Sequence, residues 1–269
     1  MSKQAKRQRK KDHRDQQRME YAEQLKRRRI ARLAGIGGVL GVVLTLALTG
    51  GGDDTERTSA GSSPSPSPEA RIAACGAEPP PPADPQQYES APPMTIDNSV
   101  DYAAVIRTSC GDIEFDLLEE KARQTVNNFI FLARDGYYDG LIWHRVERNA
   151  VIQAGDPNGF NGQPPDGPGY SIPDELPERP REYVYGIVGM ANSGPNSGGS
   201  QFFIVVHPAD QGPAGYRPFY SIFGEVDPGS YETLDAIEAI ETDIGNPDPA
   251  EAVKPIVPIY IESIEIVER

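Results

Sequence analysis

Cysteine is nearly absent: 269 residues hold two, Cys75 and Cys110, and no C-x-x-C pair. A cysteine metal cluster is thereby excluded. Histidine is as scarce. His13, His144 and His207 are scattered, without the spacing a zinc site needs. No Gly-Lys-Ser/Thr follows the glycine-rich loop near residue 194, which disfavours a phosphate-cradling loop. Positive charge is missing from most of the chain. Residues 33–269 carry 13 Lys/Arg against 36 Asp/Glu, a net of −23, while residues 1–32 carry 13 against 4, a net of +9. The overall −14 describes neither part. The acidic part would repel phosphates, so nucleic acid is not expected as the partner of a folded domain there.

The basic start, Met1–Arg32, ends in Lys26-Arg27-Arg28-Arg29 and predicts a charged helix or tail. Taken alone, it would suit anionic lipid or RNA. Leu33–Gly52 then runs 20 residues without a charge, the length a helix needs to span a bilayer. Dense positive charge before it and Asp53-Asp54 after it predict a cytoplasmic N-terminus and an extracytoplasmic remainder. A cleaved secretory signal fits less well, because 32 residues precede the apolar run and Ala47-Leu48-Thr49 is a poor cleavage site. Ile72-Ala73-Ala74-Cys75 looks like a lipoprotein cleavage box but lies too far from the apolar segment. Residues 53–93, with Ser62–Pro68 and Pro79–Pro82, predict an extended, unpacked linker that holds the folded part off the membrane.

The globular part is expected over residues 94–269. Tyr102–Arg107 suits a first strand. Ile113, Phe115 and Leu117 alternate with Glu114 and Asp116, as in a half-buried second strand. In Ala122–Arg134, Val126, Phe129, Ile130 and Ala133 share one helical face, and Gly136 stops the helix. Short strands follow at Trp143–Val146, Val151–Ala154, Val184–Met190, Phe202–Val206 and Ser221–Val226, and a second helix at Glu232–Ile240. In the closing strand, Ile259, Ile261, Ile264 and Ile266 shift parity at Glu262-Ser263, which predicts a bulge. Many short strands with two helices predict a mainly β fold, a closed antiparallel barrel. In an oxidising compartment, Cys75 and Cys110 form the one possible internal disulfide, and two free thiols are the alternative.

Function centres on Gly189–Val206, GMANSGPNSGGSQFFIVV. Turn-formers fill its middle and let backbone approach another chain closely. The apolar run Phe202–Val206 reads as a buried strand. A loop of exposed amides leading into a rigid strand suits an extended peptide, with Phe203 as a pocket floor; a long polar hairpin is the plain alternative. Ile142–Asp156, IWHRVERNAVIQAGD, and Tyr220–Val226, YSIFGEV, complete the pattern. Together the three strings resemble the cyclophilin family of peptidyl-prolyl isomerases over roughly residues 100–267.

The resemblance implies an eight-stranded barrel with a helix capping each end and a peptide groove on its outer face. It implies an enzyme that needs no cofactor. X–Pro rotation meets a barrier of about 18–20 kcal/mol and takes tens to hundreds of seconds uncatalysed. A catalyst has only to favour the twisted amide, in which the prolyl nitrogen regains its lone pair. The resemblance places the donor at Arg145, whose planar fork is always charged. Gln153 matches the glutamine that contacts substrate and orients the arginine. Ala191 and Asn192 match the groove lining, Gln201 a groove-side glutamine, and Phe203 the floor of the proline pocket. Departures stand beside these matches. Ala150 and Val151 replace a Phe-Met pair, which widens the pocket and predicts altered preference or slower turnover. Tyr220 stands where histidine is common, and either Tyr216 or Phe219 is left to supply a missing aromatic. The expectation is a monomeric, membrane-anchored isomerase for proline-containing extracytoplasmic polypeptides. A proline-peptide-binding chaperone or scaffold with little catalysis is the alternative.

Overall fold

The computed structural model describes residues 3–36, 72–97, 99–159, 167–178, 182–211, 213–249 and 252–269. Its core is one eight-stranded sheet with three α-helices. The strands are β1 (Tyr102–Thr108), β2 (Gly111–Leu117), β3 (Arg145–Glu147), β4 (Val151–Ala154), β5 (Ile187–Met190), β6 (Phe202–Val205), β7 (Ile222–Val226) and β8 (Ile261–Glu268). They order as β3-β4-β6-β5-β7-β2-β1-β8, and every neighbouring pair is antiparallel. Of the expected closed barrel, the eight antiparallel strands are present as a curled sheet with β3 and β8 at its ends. An antiparallel bridge between Ile142 and Tyr260 spans that seam, with Trp143 N donating to Ile259 O at 2.9 Å and Ile261 N to Leu141 O at 2.7 Å. Pro255 and Pro258 lack the N–H a ladder needs, which keeps the approach to β8 from pairing regularly. The predicted bulge is present. Arg107 faces Ser263 while Thr108 faces Ile261, leaving Glu262 extra.

The helices are α1 (Lys3–Ile36), α2 (Arg123–Arg134) and α3 (Tyr231–Glu238). In α2 the predicted apolar face is buried, but so are Asn127, Asn128 and Leu132. Asn128 is held by Gly199 and Tyr170, and Asn127 is covered by residues 72–97. These were expected to be unpacked linker up to residue 93, yet they run as an extended strap across the domain. Cys75 and Cys110 are bonded to each other. Ala74 N donates to Pro258 O at 2.8 Å. Asn127 accepts from Thr95 N at 2.8 Å and donates to Pro93 O at 3.0 Å. The strap is extended as proline dictates, and it finds a second helix face to cover.

α1 is the predicted charged helix, and it lies on the acidic outer face of β7-β2-β1. Arg7 pairs with Asp101, Glu119 and Glu120. Lys10 and Arg14 pair with Asp116, and Arg18 with Glu225. Arg14 is only 5 % exposed. The Tyr21 hydroxyl donates to Asp235 at 2.6 Å, and its ring packs on Tyr231 at 5.0 Å. The basic tail thus meets carboxylates of its own chain. Of the apolar segment 33–52, residues beyond 36 lie outside the described ones, as does the linker up to residue 71. No helix among the described residues is long and apolar enough to cross a membrane.

Candidate active site

The site forms where three strands place one row of side chains on the outer face. Arg145 on β3 faces Gln153 on β4, Gln153 faces Phe203 on β6, and Phe203 faces Gly189 on β5. Residues one step along the strands, Ile152, Ile204 and Val188, turn inward to the main core. The outer face carries its own apolar cluster, with Val151, Phe203, Val205, Ile187 and Ile222. With both faces covered, β6 reads as an unbroken apolar run rather than an alternating one, and β4 does so apart from Gln153.

Gly189 has a specific task. A Cβ there would lie 2.4 Å from the Phe203 ring. Only glycine lets the ring lie flat against β5 and form a floor. The Tyr220 ring meets Phe203 edge-on at 5.2 Å. Tyr216 lines the same hollow and packs edge-on against Tyr183 at 6.0 Å, whereas Phe219 is 55 % exposed. The missing aromatic is therefore Tyr216. It lines the same cavity as Val151 and packs against the same apolar cluster. Burial and the nearby Glu147 raise the Tyr216 phenol above its usual range, so it stays neutral.

A chain of amides sets the arginine. Arg145 Nη1 donates to Gln153 Oε1 at 3.1 Å. Gln153 Nε2 donates to Gln201 Oε1 at 2.9 Å, and Gln201 Nε2 to Asp156 Oδ2 at 3.2 Å. Asp156 accepts only, so it fixes the sense of both amides and leaves the Gln153 oxygen facing Arg145. Arg145 also pairs with Glu147, two residues along the same strand face. Sequence reasoning assigned neither Asp156 nor Glu147. Asp156 lies within the quoted IQAGD string, and Glu147 has the i, i+2 spacing from Arg145 that puts both on one face. His144, beside the arginine, points inward. Burial, with Arg145 and Lys254 close by, lowers its pKa to about 3 and keeps it neutral.

Ala191 and Asn192 line the groove. Ala191 N donates to Gln201 O at 2.9 Å. The Asn192 amide donates to Phe219 O at 2.8 Å and so ties the loop before Tyr220. All eight expected groove residues therefore line one cavity of about 610 Å³, which continues past Gly199 and Ser200 to a wall of Gly167, Pro168, Tyr170 and Ser171. Among the described residues, no group of three or more His, Cys, Asp or Glu could hold a metal ion.

Residues 103–266 match the family model described as cyclophilin type peptidyl-prolyl cis-trans isomerase/CLD. This chain belongs to the cyclophilin family. The cyclophilin is 39% identical over 184 residues to the probable peptidyl-prolyl cis-trans isomerase A of Mycobacterium leprae, covering 61% of this chain and 91% of that protein. It is 38% identical over 183 residues to peptidyl-prolyl cis-trans isomerase B of Streptomyces anulatus, covering 62% and 97%. A putative bifunctional phosphatase/peptidyl-prolyl cis-trans isomerase of Streptococcus pyogenes is 34% identical over 199 residues, which are 65% of this chain but 41% of that longer protein. Among solved structures, a cyclophilin type isomerase of Cryptosporidium parvum superposes with a TM-score of 0.52 at 31% identity, covering 63% of this chain and 99% of its own. The same isomerase solved in the presence of the dipeptide Ala-Pro gives the same score. The activity of this cyclophilin is peptidyl-prolyl cis-trans isomerisation.

Proposed function

We propose that Arg145 drives X–Pro rotation by donating to the prolyl nitrogen as the amide twists, while Phe203, Val151, Tyr216 and Tyr220 hold the proline ring. The observation that carries this is the row Arg145–Gln153–Phe203 beside an apolar hollow. The planar amide offers its nitrogen no lone pair, so the bond to Arg145 strengthens only towards the transition state. The relay from Asp156 through Gln201 and Gln153, together with Glu147, fixes the guanidinium before substrate arrives, so little reorganisation is left to the reaction. Ala191 and Asn192 take the peptide backbone. The Ala-Pro dipeptide present with the related structure supports a proline-containing peptide as the ligand.

The test is cis/trans isomerisation of an X–Pro peptide. Removing one preorganised donor typically costs about 10²–10³ in rate. Arg145→Ala should lose on that order with peptide affinity largely kept. An unchanged rate overturns the mechanism, and binding without acceleration by the wild type selects a passive holder instead.

The proposed setting is an extracytoplasmic one, with residues 33–52 as tether, a monomeric domain and folding polypeptides as substrates. It separates α1 from the sheet face by the bilayer, so the two meet only in chains where both lie on one side. The Cys75–Cys110 bond supports an oxidising compartment. Labelling of cysteines introduced at residue 20 and residue 245 with an impermeant reagent tests it. Both positions reporting the same side would overturn the tethered topology.

A further inference from the structure

The groove has a second wall, opposite the proline hollow, and the strap stands behind it. Tyr88 N donates to Pro168 O at 2.9 Å, and Gln87 Nε2 to Gly167 O at 2.7 Å. Gly169 has φ +92°, and a Cβ on it would lie 2.6 Å from Tyr88 O, so strap and wall touch backbone to backbone. The Tyr88 ring packs edge-on against Phe131 at 5.0 Å and Tyr170 at 6.2 Å, and its hydroxyl donates to Asp135 at 2.6 Å. On the groove side, Tyr170 donates to Asn128, which donates to Gly199 O at 2.8 Å. The wall is thus clamped between the strap and the loop leading to Gln201. Gly167, Pro168, Tyr170 and Ser171 line the cavity on this side together with Gly199 and Ser200. The cavity thus extends beyond the proline hollow along this wall, where a residue next to the proline would lie.

We propose that Tyr88 is a positioning residue for this wall, and that the strap makes the cyclophilin selective for the residues flanking the proline. The inference rests on the groove reading above. The strap lies outside residues 103–266, the span of the family model. Tyr88 acts through Pro168 and Tyr170 and leaves Arg145 and the hollow untouched. Its removal should therefore weaken binding of peptides with a bulky flanking residue and spare the chemical step.

The test compares full-length wild type, Tyr88→Ala, Tyr88→Leu and Tyr88→Phe on two X–Pro peptides, one with Ala flanks and one with Phe or Leu flanks. Aromatic pairs contribute about 0.5–1.5 kcal/mol, so KM for the bulky peptide should rise up to about tenfold in Tyr88→Ala. KM for the Ala-flanked peptide and kcat for both should hold within about twofold. Tyr88→Phe should restore the wild-type values. If Tyr88→Ala fails to fold, Tyr88→Leu, which fills the space without an aromatic face, gives the same reading. Equal changes for both peptides, or none, overturn the proposal. Failure of the underlying groove reading looks different: Arg145→Ala would then keep its rate on the Ala-flanked peptide.

Discussion

At the scale of single residues, two contacts decide what the groove can be. Gly189→Ala puts a methyl into the Phe203 ring at a place with no slack. Overpacking of this kind costs about 1–3 kcal/mol, and here it also tips the pocket floor. The expected result is a several-fold higher KM for proline peptides together with a lower Tm, read by calorimetry and by isomerisation kinetics on the same sample. His144 supplies the pH dependence. Its folded pKa, about 3, lies below the ordinary value of 6.5. The unfolded chain therefore takes up a proton first as pH falls. Stability attributable to His144 is complete above about pH 6.5 and is lost progressively towards pH 3. Urea unfolding midpoints at pH 7.5 and 5 should differ in the wild type and differ less in His144→Gln. The isomerisation rate should show no His144 titration between pH 6 and 8. The sequence made Arg145, Gln153 and Phe203 legible because their strings are contiguous with strand signals. It left Tyr216 and Phe219 as equal candidates for one wall and hid the Gln201–Asp156 contact, since these depend on how separate loops fold back on one sheet face.

At the scale of elements, the strap marks the limit of reading by composition. Proline correctly signalled extended chain, but proline content does not say whether an extended chain lies on a surface. The informative residues were single ones, Cys75 and Tyr88, set in a polar, Pro-rich segment with no period to reveal them. Sheet closure was similarly hard to read, because Pro255 and Pro258 interrupt pairing just where the barrel would seal. Strand and helix cores were legible from their patterns, with ends differing by one to three residues where loops competed for the last bonds. The disulfide closes a loop with a sequence separation of 35. Links over loops of this size stabilise by about 2–4 kcal/mol. Denaturant unfolding with and without reductant should show that loss, and Cys75→Ser with Cys110→Ser should match the reduced protein. A piece that begins near residue 92 should resemble the reduced form or be worse, because it also lacks Tyr88.

At the scale of the whole molecule, the charge split between residues 1–32 and the rest becomes a contact. Asp116 and Glu225 receive Arg14 and Arg18 where little water reaches. Exposed pairs fade with salt, with a Debye length of about 10 Å at 0.1 M, and buried ones fade much less. Hydrogen exchange of α1 amides should therefore speed up at high salt most for Lys3–Arg9 and least around Arg14. Arg14→Ala should speed exchange around the middle of α1 most, because it removes the most buried cation of the contact and leaves Asp116 to Lys10 and Arg269 and Glu225 to Arg18. Protection that is uniform along α1 and insensitive to this substitution would contradict the docking described here.

The same face has another side to it once the tail is withdrawn. In the tethered arrangement proposed above, α1 would stay behind the bilayer, and Asp101, Asp116, Glu119, Glu225 and Asp235 would lose the partners it brings. Where the facing leaflet carries anionic headgroups, they would push such a face outward within about a Debye length. The domain would then ride above the membrane on electrostatic repulsion as much as on the length of its leash, and added salt would let it settle.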